Sequence, residues 1–179
     1  MKSRIFIPFL SIFLFSAPTL AEIRHHDAHT HGAAELNIVI ENDTVLIEFE
    51  SPAVNLIGFE HKPRTDAQHL ELQKALALLN DAGVVASFEK GECRVTETLI
   101  RGPFDNADQE GPKHGEREEH SEFHATYSLS CQDASVITSV STRLFDHFTG
   151  FEAIRVRWIG NKGQGTALLN NHSTTFSIE

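Results

Sequence analysis

The chain has 179 residues with a formal net charge of −10, and it contains 11 His but only two Cys. A chain of this length suits a single domain with a real hydrophobic core. Its acidic balance disfavours binding to nucleic acid or to anionic lipid, and it favours the accumulation of cations at the surface.

Residues 1–21 are typical of a cleavable secretory signal peptide. Lys2 and Arg4 precede an apolar run at 5–15, and small residues close the segment. The alternative is an uncleaved anchor, but a membrane-spanning helix needs about 20 apolar residues and this run is shorter. We therefore predict a periplasmic protein that begins at Glu22, has no membrane span, and carries 13 basic and 25 acidic residues.

Residues 22–32 are predicted to form a flexible polar arm ahead of a single domain at 33–179. Within that domain, residues 34–40 and 45–50 alternate apolar and polar side chains on either side of turn-forming residues. This pattern predicts a β-hairpin.

Two helices are predicted next. Ser51-Pro52 favours a short helix that Gly58 would end. Thr65 and Gln68 form a capping box, which predicts a helix over 66–80. Its apolar stripe comprises Leu72, Ala75, Leu76 and Leu79, with Gly83 just past the end.

Cys93 and Cys131 are the only cysteines. In an oxidising compartment such a pair indicates one disulfide, and two buried free thiols are the alternative. Closing a ring of this size would stabilise the fold by about 4 kcal/mol.

Residues 93–100 and 123–131 both show strand patterns. If they pair antiparallel through the disulfide, the register places Val95 near Leu129 and Leu99 near Ala125. The polar loop at 102–122 between them is longer than an ordinary hairpin loop, which is typical of functional or disordered segments.

The remainder of the chain predicts further strands. Residues 136–142 fit either a strand or a helix, with a strand preferred and a helical turn after it at 144–148. Strands are also predicted around Val156, at 163–169 and at 174–178. The predicted class is α+β: an antiparallel sheet core packed with one main helix, a long polar loop and one disulfide.

Four histidines crowd the predicted arm: His25, His26, His29 and His31. Neutral imidazole is the commonest zinc ligand, and a tetrahedral site needs three or four such groups. The arm is therefore a candidate metal site, with a solvated polar tail as the alternative. In an extended chain most of these side chains would share the solvent face of the first strand with Glu35, unless Gly32 breaks the register.

A second set combines acids with three histidines, His114, His120 and His124. It fits a metal-collecting loop or a bland solvated one equally. Glu60-His61 with His69 form a third, weaker set, and His147 and His172 stand alone. With the cysteines oxidised and no Met after residue 1, soft ligands are absent, so zinc or another divalent transition metal is favoured over copper(I).

Short motifs along the predicted mature chain match one known pattern. The matching stretches are His25 to Gly32 running into Ala33-Ala34-Glu35-Leu36, Ser51-Pro52-Ala53, Gly58-Phe59-Glu60-His61, Cys93, the acid-bearing insert, Tyr127 to Cys131, Leu144-Phe145 and Gly163-Gln164. On these residues the chain resembles the ZrgA-like zinc-uptake proteins of the Gram-negative periplasm. The resemblance implies a zinc-regulated periplasmic binder that assists an ABC-type importer.

The insert departs from that family, in which it is typically a dense His-Asp or His-Glu repeat. Here it holds few histidines among its acids, so the metal roles implied by the resemblance fall mainly on the arm.

Two other functions remain open. A zinc-dependent hydrolase lacks a motif, since a zincin helix needs Glu directly after its first His and Ser121 follows His120. A metal-independent envelope interaction module would use its sheet edges instead. We therefore predict a non-enzymatic zinc binder.

Overall fold

The computed structural model describes residues 30–105 and 121–178. Within these residues the chain is mostly β, with four short helical segments and one longer helix. The strands are β1 (Ala33–Glu41), β2 (Thr44–Pro52), β3 (Ser87–Phe88), β4 (Arg94–Arg101), β5 (Glu122–Ser130), β6 (Ser139–Ser141), β7 (Ala153–Gly160), β8 (Gly163–Leu169) and β9 (Thr175–Ser177). The helices are α1 (Ala53–Ile57), α2 (Asp66–Leu79), α3 (Ala82–Val85) and α4 (Leu144–His147), with a 3-10 turn at Ala134–Val136.

A six-stranded sheet in the order β4-β5-β2-β1-β7-β8 forms the larger layer, and β3-β6-β9 form a small second sheet. The expectation of a purely antiparallel sheet is wrong, because β1 and β7 pair in parallel. The α+β class holds only broadly, since β-structure dominates.

The predicted hairpin is confirmed as β1 and β2, which pair Leu36 with Phe49 and Ile38 with Ile47. Asn42 occupies the two-residue turn with a φ of 53°, a left-handed conformation that Asn tolerates. The alternating pattern places apolar side chains of both strands on the buried inner face of the sheet.

The helix predictions are also largely confirmed. The Thr65 side chain accepts a hydrogen bond from the Gln68 N–H at 3.2 Å, which caps α2. Gly83 lies past the end of α2 at Leu79, as predicted, and it falls within the short helix α3. The hydroxyl of buried Tyr127 donates to the Leu79 carbonyl, which fixes the end of α2 against β5.

The predicted disulfide joins Cys93 to Cys131. The predicted β4–β5 register is correct at Val95, which pairs with Leu129, but it is wrong at Leu99. A bulge between Val95 and Glu97 shifts the ladder by one residue, so Leu99 pairs with Thr126. Leu99 is therefore on the outer face of the sheet.

The ambiguous segment at 136–142 contains the strand β6, shorter than predicted, and α4 supplies the helical turn after it. The inner face of the large sheet packs against the helices and the small sheet in one continuous core. Within the described residues, no helix is both long and apolar enough to cross a membrane.

Candidate metal-binding corner

Two of the seven histidines predicted as metal ligands, His31 and His124, lie within the described residues. The other five, His25, His26, His29, His114 and His120, lie outside them, so their roles stay predictions.

His31 lies two residues before the start of the first strand. Gly32 breaks the extended register with a φ of 84°, and β1 begins one residue later. The Gly32 carbonyl accepts hydrogen bonds from the backbone N–H groups of Glu152, at 2.7 Å, and Ala153, at 3.0 Å. The backbone beside His31 is therefore held against the start of β7.

Asn55 of α1 completes this anchor. Its side-chain oxygen accepts from the Gly32 N–H at 2.8 Å, and its amide nitrogen donates to the Ala33 carbonyl at 2.8 Å. The same nitrogen donates to the Ser51 hydroxyl at 3.1 Å. Because Asn55 is only 3% exposed, water does not replace these partners.

Glu60 lies in the connector that follows α1. Gly58 ends this helix in the left-handed conformation, with a φ of 79°, and turns the chain toward the start of β1. As a result His31 Nε2 lies 3.2 Å from Glu60 Oε1, with both side chains partly exposed. The structure thus joins one arm histidine to the Gly58–His61 connector.

The residue that follows the acidic insert reaches the same connector. Buried Ser121 donates its hydroxyl to the Glu60 backbone carbonyl at 2.8 Å, and its own carbonyl accepts from the Ala53 N–H at 2.7 Å. The arm end and the insert end therefore meet at one corner, which we define as His31, Gly58–His61 and Ser121.

His61 has one ring nitrogen already engaged. Its Nδ1 lies 2.9 Å from the Lys62 carbonyl, and its ring stacks on Phe59 with centroids 5.2 Å apart. A carbonyl only accepts, so Nδ1 carries the hydrogen. In the neutral ring Nε2 then presents its lone pair, which is the form that binds a metal.

His124 is in a different environment, on the outer face of β5. Its Nδ1 and Nε2 each lie 3.3 Å from a carboxylate oxygen, of Glu50 and of Glu122 respectively. The hydrogen bond to Glu122, aided by Glu50, raises the pKa of His124 above its ordinary value, although partial burial opposes the shift. A cleft of about 190 Å³ lies beside it and is lined also by Leu99 and Arg101.

This arrangement favours an imidazolium held between two carboxylates. A metal would have to displace one of these contacts, and the two carboxylates approach different ring nitrogens. The ligand role of His124 stays a prediction, and its contacts in the described structure are those of an ion pair.

The remaining described histidines lie elsewhere. His69 is exposed on α2, His147 ends α4, and His172 lies in a turn before β9. Across residues 30–105 and 121–178, no three His, Cys, Asp or Glu side chains already surround a single metal position.

Sequence reasoning missed the positions of Asn55 and Ser121. Asn55 carried a weak signal, since it is a polar residue within an otherwise apolar helix. Glu60 was singled out with His61 and His69 as a weaker candidate set, but its contact with His31 was not predicted, because that contact depends on a turn and on partners far away in the chain.

The described chain is a mixed-sheet domain in which one histidine and one carboxylate, His31 and Glu60, lie together near the start of β1. The family model described as ZrgA family zinc uptake protein matches residues 28–178, and the chain belongs to this family. A comparison with curated proteins finds no significant match.

Proposed function

We propose that this chain is a periplasmic accessory protein that captures Zn(II) and assists an ABC-type zinc importer. Membership of a zinc uptake family supports a zinc-related role and a non-enzymatic one. In this proposal residues 1–21 are a cleaved signal peptide, and zinc is the cargo of the protein.

The observation that carries the proposal is the meeting of two histidine-bearing segments at one corner. Chain connectivity adds to it, because His29 precedes His31 by two residues and His120 directly precedes Ser121. We therefore propose that His25, His26, His29 and His31 bind zinc with help from His114 and His120. His124, the remaining predicted ligand, would first have to leave a contact with Glu50 or Glu122.

Calorimetric titration with zinc at pH 7.5 tests this function on the exported protein and on a variant lacking residues 22–32. We expect the deletion to remove the tightest binding, while a His147→Gln, His172→Gln control keeps it. Binding should weaken as the pH falls through about 6, because protons compete for imidazole. Equal affinity in the deletion variant would reject the arm as the main site.

Assistance to the importer needs a separate test in cells. A deletion strain should grow normally in rich medium and poorly when a chelator limits zinc, and the wild-type gene should restore growth. Chelator-sensitive growth unaffected by the deletion would refute a role in uptake.

A second candidate is a metal-independent interaction module. Leu46, Val39 and Ile159 are neighbours in register on the outer sheet face, and all three are at least 40% exposed. Such an apolar strip suits a protein partner. This second function is favoured if the protein binds zinc, nickel and copper(II) no more tightly than a Kd of about 1 mM.

A further inference from the structure

We infer that Glu60 and His61 are themselves metal ligands that form, with His31, a three-ligand site for a divalent transition metal. The inference rests on the proposed zinc role and makes it specific. The site uses described residues only, and it leaves the fourth tetrahedral position open.

The first support is the distance between His31 and Glu60. Zinc bonds of about 2.0–2.1 Å to nitrogen and oxygen at a tetrahedral angle separate two ligand atoms by about 3.3 Å. His31 Nε2 and Glu60 Oε1 lie 3.2 Å apart. These two atoms now contact each other directly, and an ion could enter between them with little change in their separation.

The second support is the position of His61. It directly follows Glu60 in the exposed connector, so a rotation of its side chain can bring the ring to an ion held by Glu60. The rotation gives up the 2.9 Å contact of Nδ1 with the Lys62 carbonyl and the stacking on Phe59. Because His61 is exposed, water can replace the contact with the Lys62 carbonyl.

The third support is the rigidity of the backbone that carries these ligands. Asn55 and the start of β7 hold the residue after His31, and Ser121 holds the Glu60 carbonyl. Ligands on anchored backbone lose less conformational entropy when they bind.

The chemistry of this set suits exchange of the ion. Two imidazoles and one carboxylate with an open fourth position are the ligand pattern of zinc sites that accept an incoming group. Another imidazole could therefore enter the open position before one of the three ligands leaves. A closed four-ligand site would resist such transfer.

The test is calorimetric titration with zinc of two full-length exported variants, Glu60→Gln and His61→Gln. Glu71→Gln and His69→Gln on exposed α2 are the matched controls, since they remove the same groups elsewhere. Each corner variant should lower the affinity of the tightest site by about tenfold or more, because even an outer-shell change costs that much. The controls should bind zinc as the wild type does.

Competition from the other arm histidines is removed by repeating the series in a His25→Gln, His26→Gln, His29→Gln background. There one tight zinc equivalent should remain, and Glu60→Gln or His61→Gln should weaken its binding by about tenfold or more. Cobalt(II) gives a second readout, since its visible spectrum should lose the tetrahedral bands in the corner variants alone. Circular dichroism checks that each variant is folded. The hydrogen bond from the Ser121 hydroxyl should survive in Glu60→Gln, because its acceptor is the backbone carbonyl of residue 60.

The outcomes separate the two proposals. Wild-type protein that binds no zinc refutes the proposed function and this inference together. Zinc binding that is unchanged by the corner variants, or that vanishes in the three-histidine background, overturns this inference and leaves the proposed function standing.

Discussion

Replacing Asn55 with Ala should destabilise the fold, because this side chain joins α1 to the start of β1. Asn55 makes three hydrogen bonds, two of them to the backbone of Gly32 and Ala33 more than 20 residues away. Alanine keeps the helix but removes all three.

The magnitude follows from the groups left behind. The Gly32 N–H is buried and uses Asn55 as its acceptor, so its loss costs about 1–3 kcal/mol. The Ala33 carbonyl loses a second, partly buried bond worth about 1 kcal/mol, whereas the Ser51 hydroxyl still donates to the Pro52 carbonyl. The better helix propensity of alanine returns about 0.5 kcal/mol. We expect a net loss of about 2–3 kcal/mol in the free energy of unfolding.

Urea denaturation followed by circular dichroism, with the disulfide intact, measures this loss. Asn170→Ala is the control, since that side chain accepts from the N–H groups of His172 and Ser173 within one exposed turn. Water can replace such contacts, so the control should lose less than about 1 kcal/mol. Equal losses in the two variants would show that Asn55 does not clamp the start of β1.

Three further predictions concern the disulfide, the outer sheet face and one tight contact. A Cys93→Ser, Cys131→Ser double variant should lose about 4 kcal/mol in the free energy of unfolding by urea denaturation; an unchanged midpoint would exclude a stabilising disulfide. The pKa of His124 is raised chiefly by Glu122, so its stabilising effect is complete below the unfolded pKa near 6.5 and disappears as the pH rises through the folded pKa. His124→Gln should therefore destabilise the protein more at pH 5.5 than at pH 9, and a loss that is equal at both pH values would contradict this. Gly150→Ala should cost about 3 kcal/mol by thermal denaturation, because its Cβ would overlap the backbone of α1, and a wild-type melting temperature would disprove that contact.

Local patterns predicted much of the fold correctly. The alternation around Asn42 and the capping box at Thr65 depend on residues a few positions apart, and both elements formed as expected. Turn chemistry and apolar period act within such short stretches, so a single sequence carries them.

Pairing between strands that are far apart in the sequence was harder to predict. The parallel β1–β7 ladder joins segments about 120 residues apart, and no local pattern specifies it. The bulge at Thr96 depends on the partner strand, where the Thr96 hydroxyl donates to the Ser128 carbonyl at 3.0 Å. The register predicted at Leu99 failed for this reason.

The sequence predicted which residue types the candidate site contains, but it did not predict which side chains contact each other there. Histidine density identified His31, but its carboxylate partner follows from a left-handed Gly58 and a buried Asn55. The contacts of His124 were not predicted either. This histidine, chosen from the sequence as a metal ligand, lies between two carboxylates in the described structure.

The distribution of charge distinguishes the corner from three carboxylates of the outer sheet face. On that face Glu35 contacts the guanidinium groups of Arg155 and Arg157, and His124 contacts Glu50 and Glu122. A cation that binds any of these three carboxylates must displace a positive partner, which opposes binding. Glu60 faces His31, whose imidazole in its neutral form is a ligand and does not compete as a charge. At the corner the ion therefore gains a carboxylate and an imidazole together.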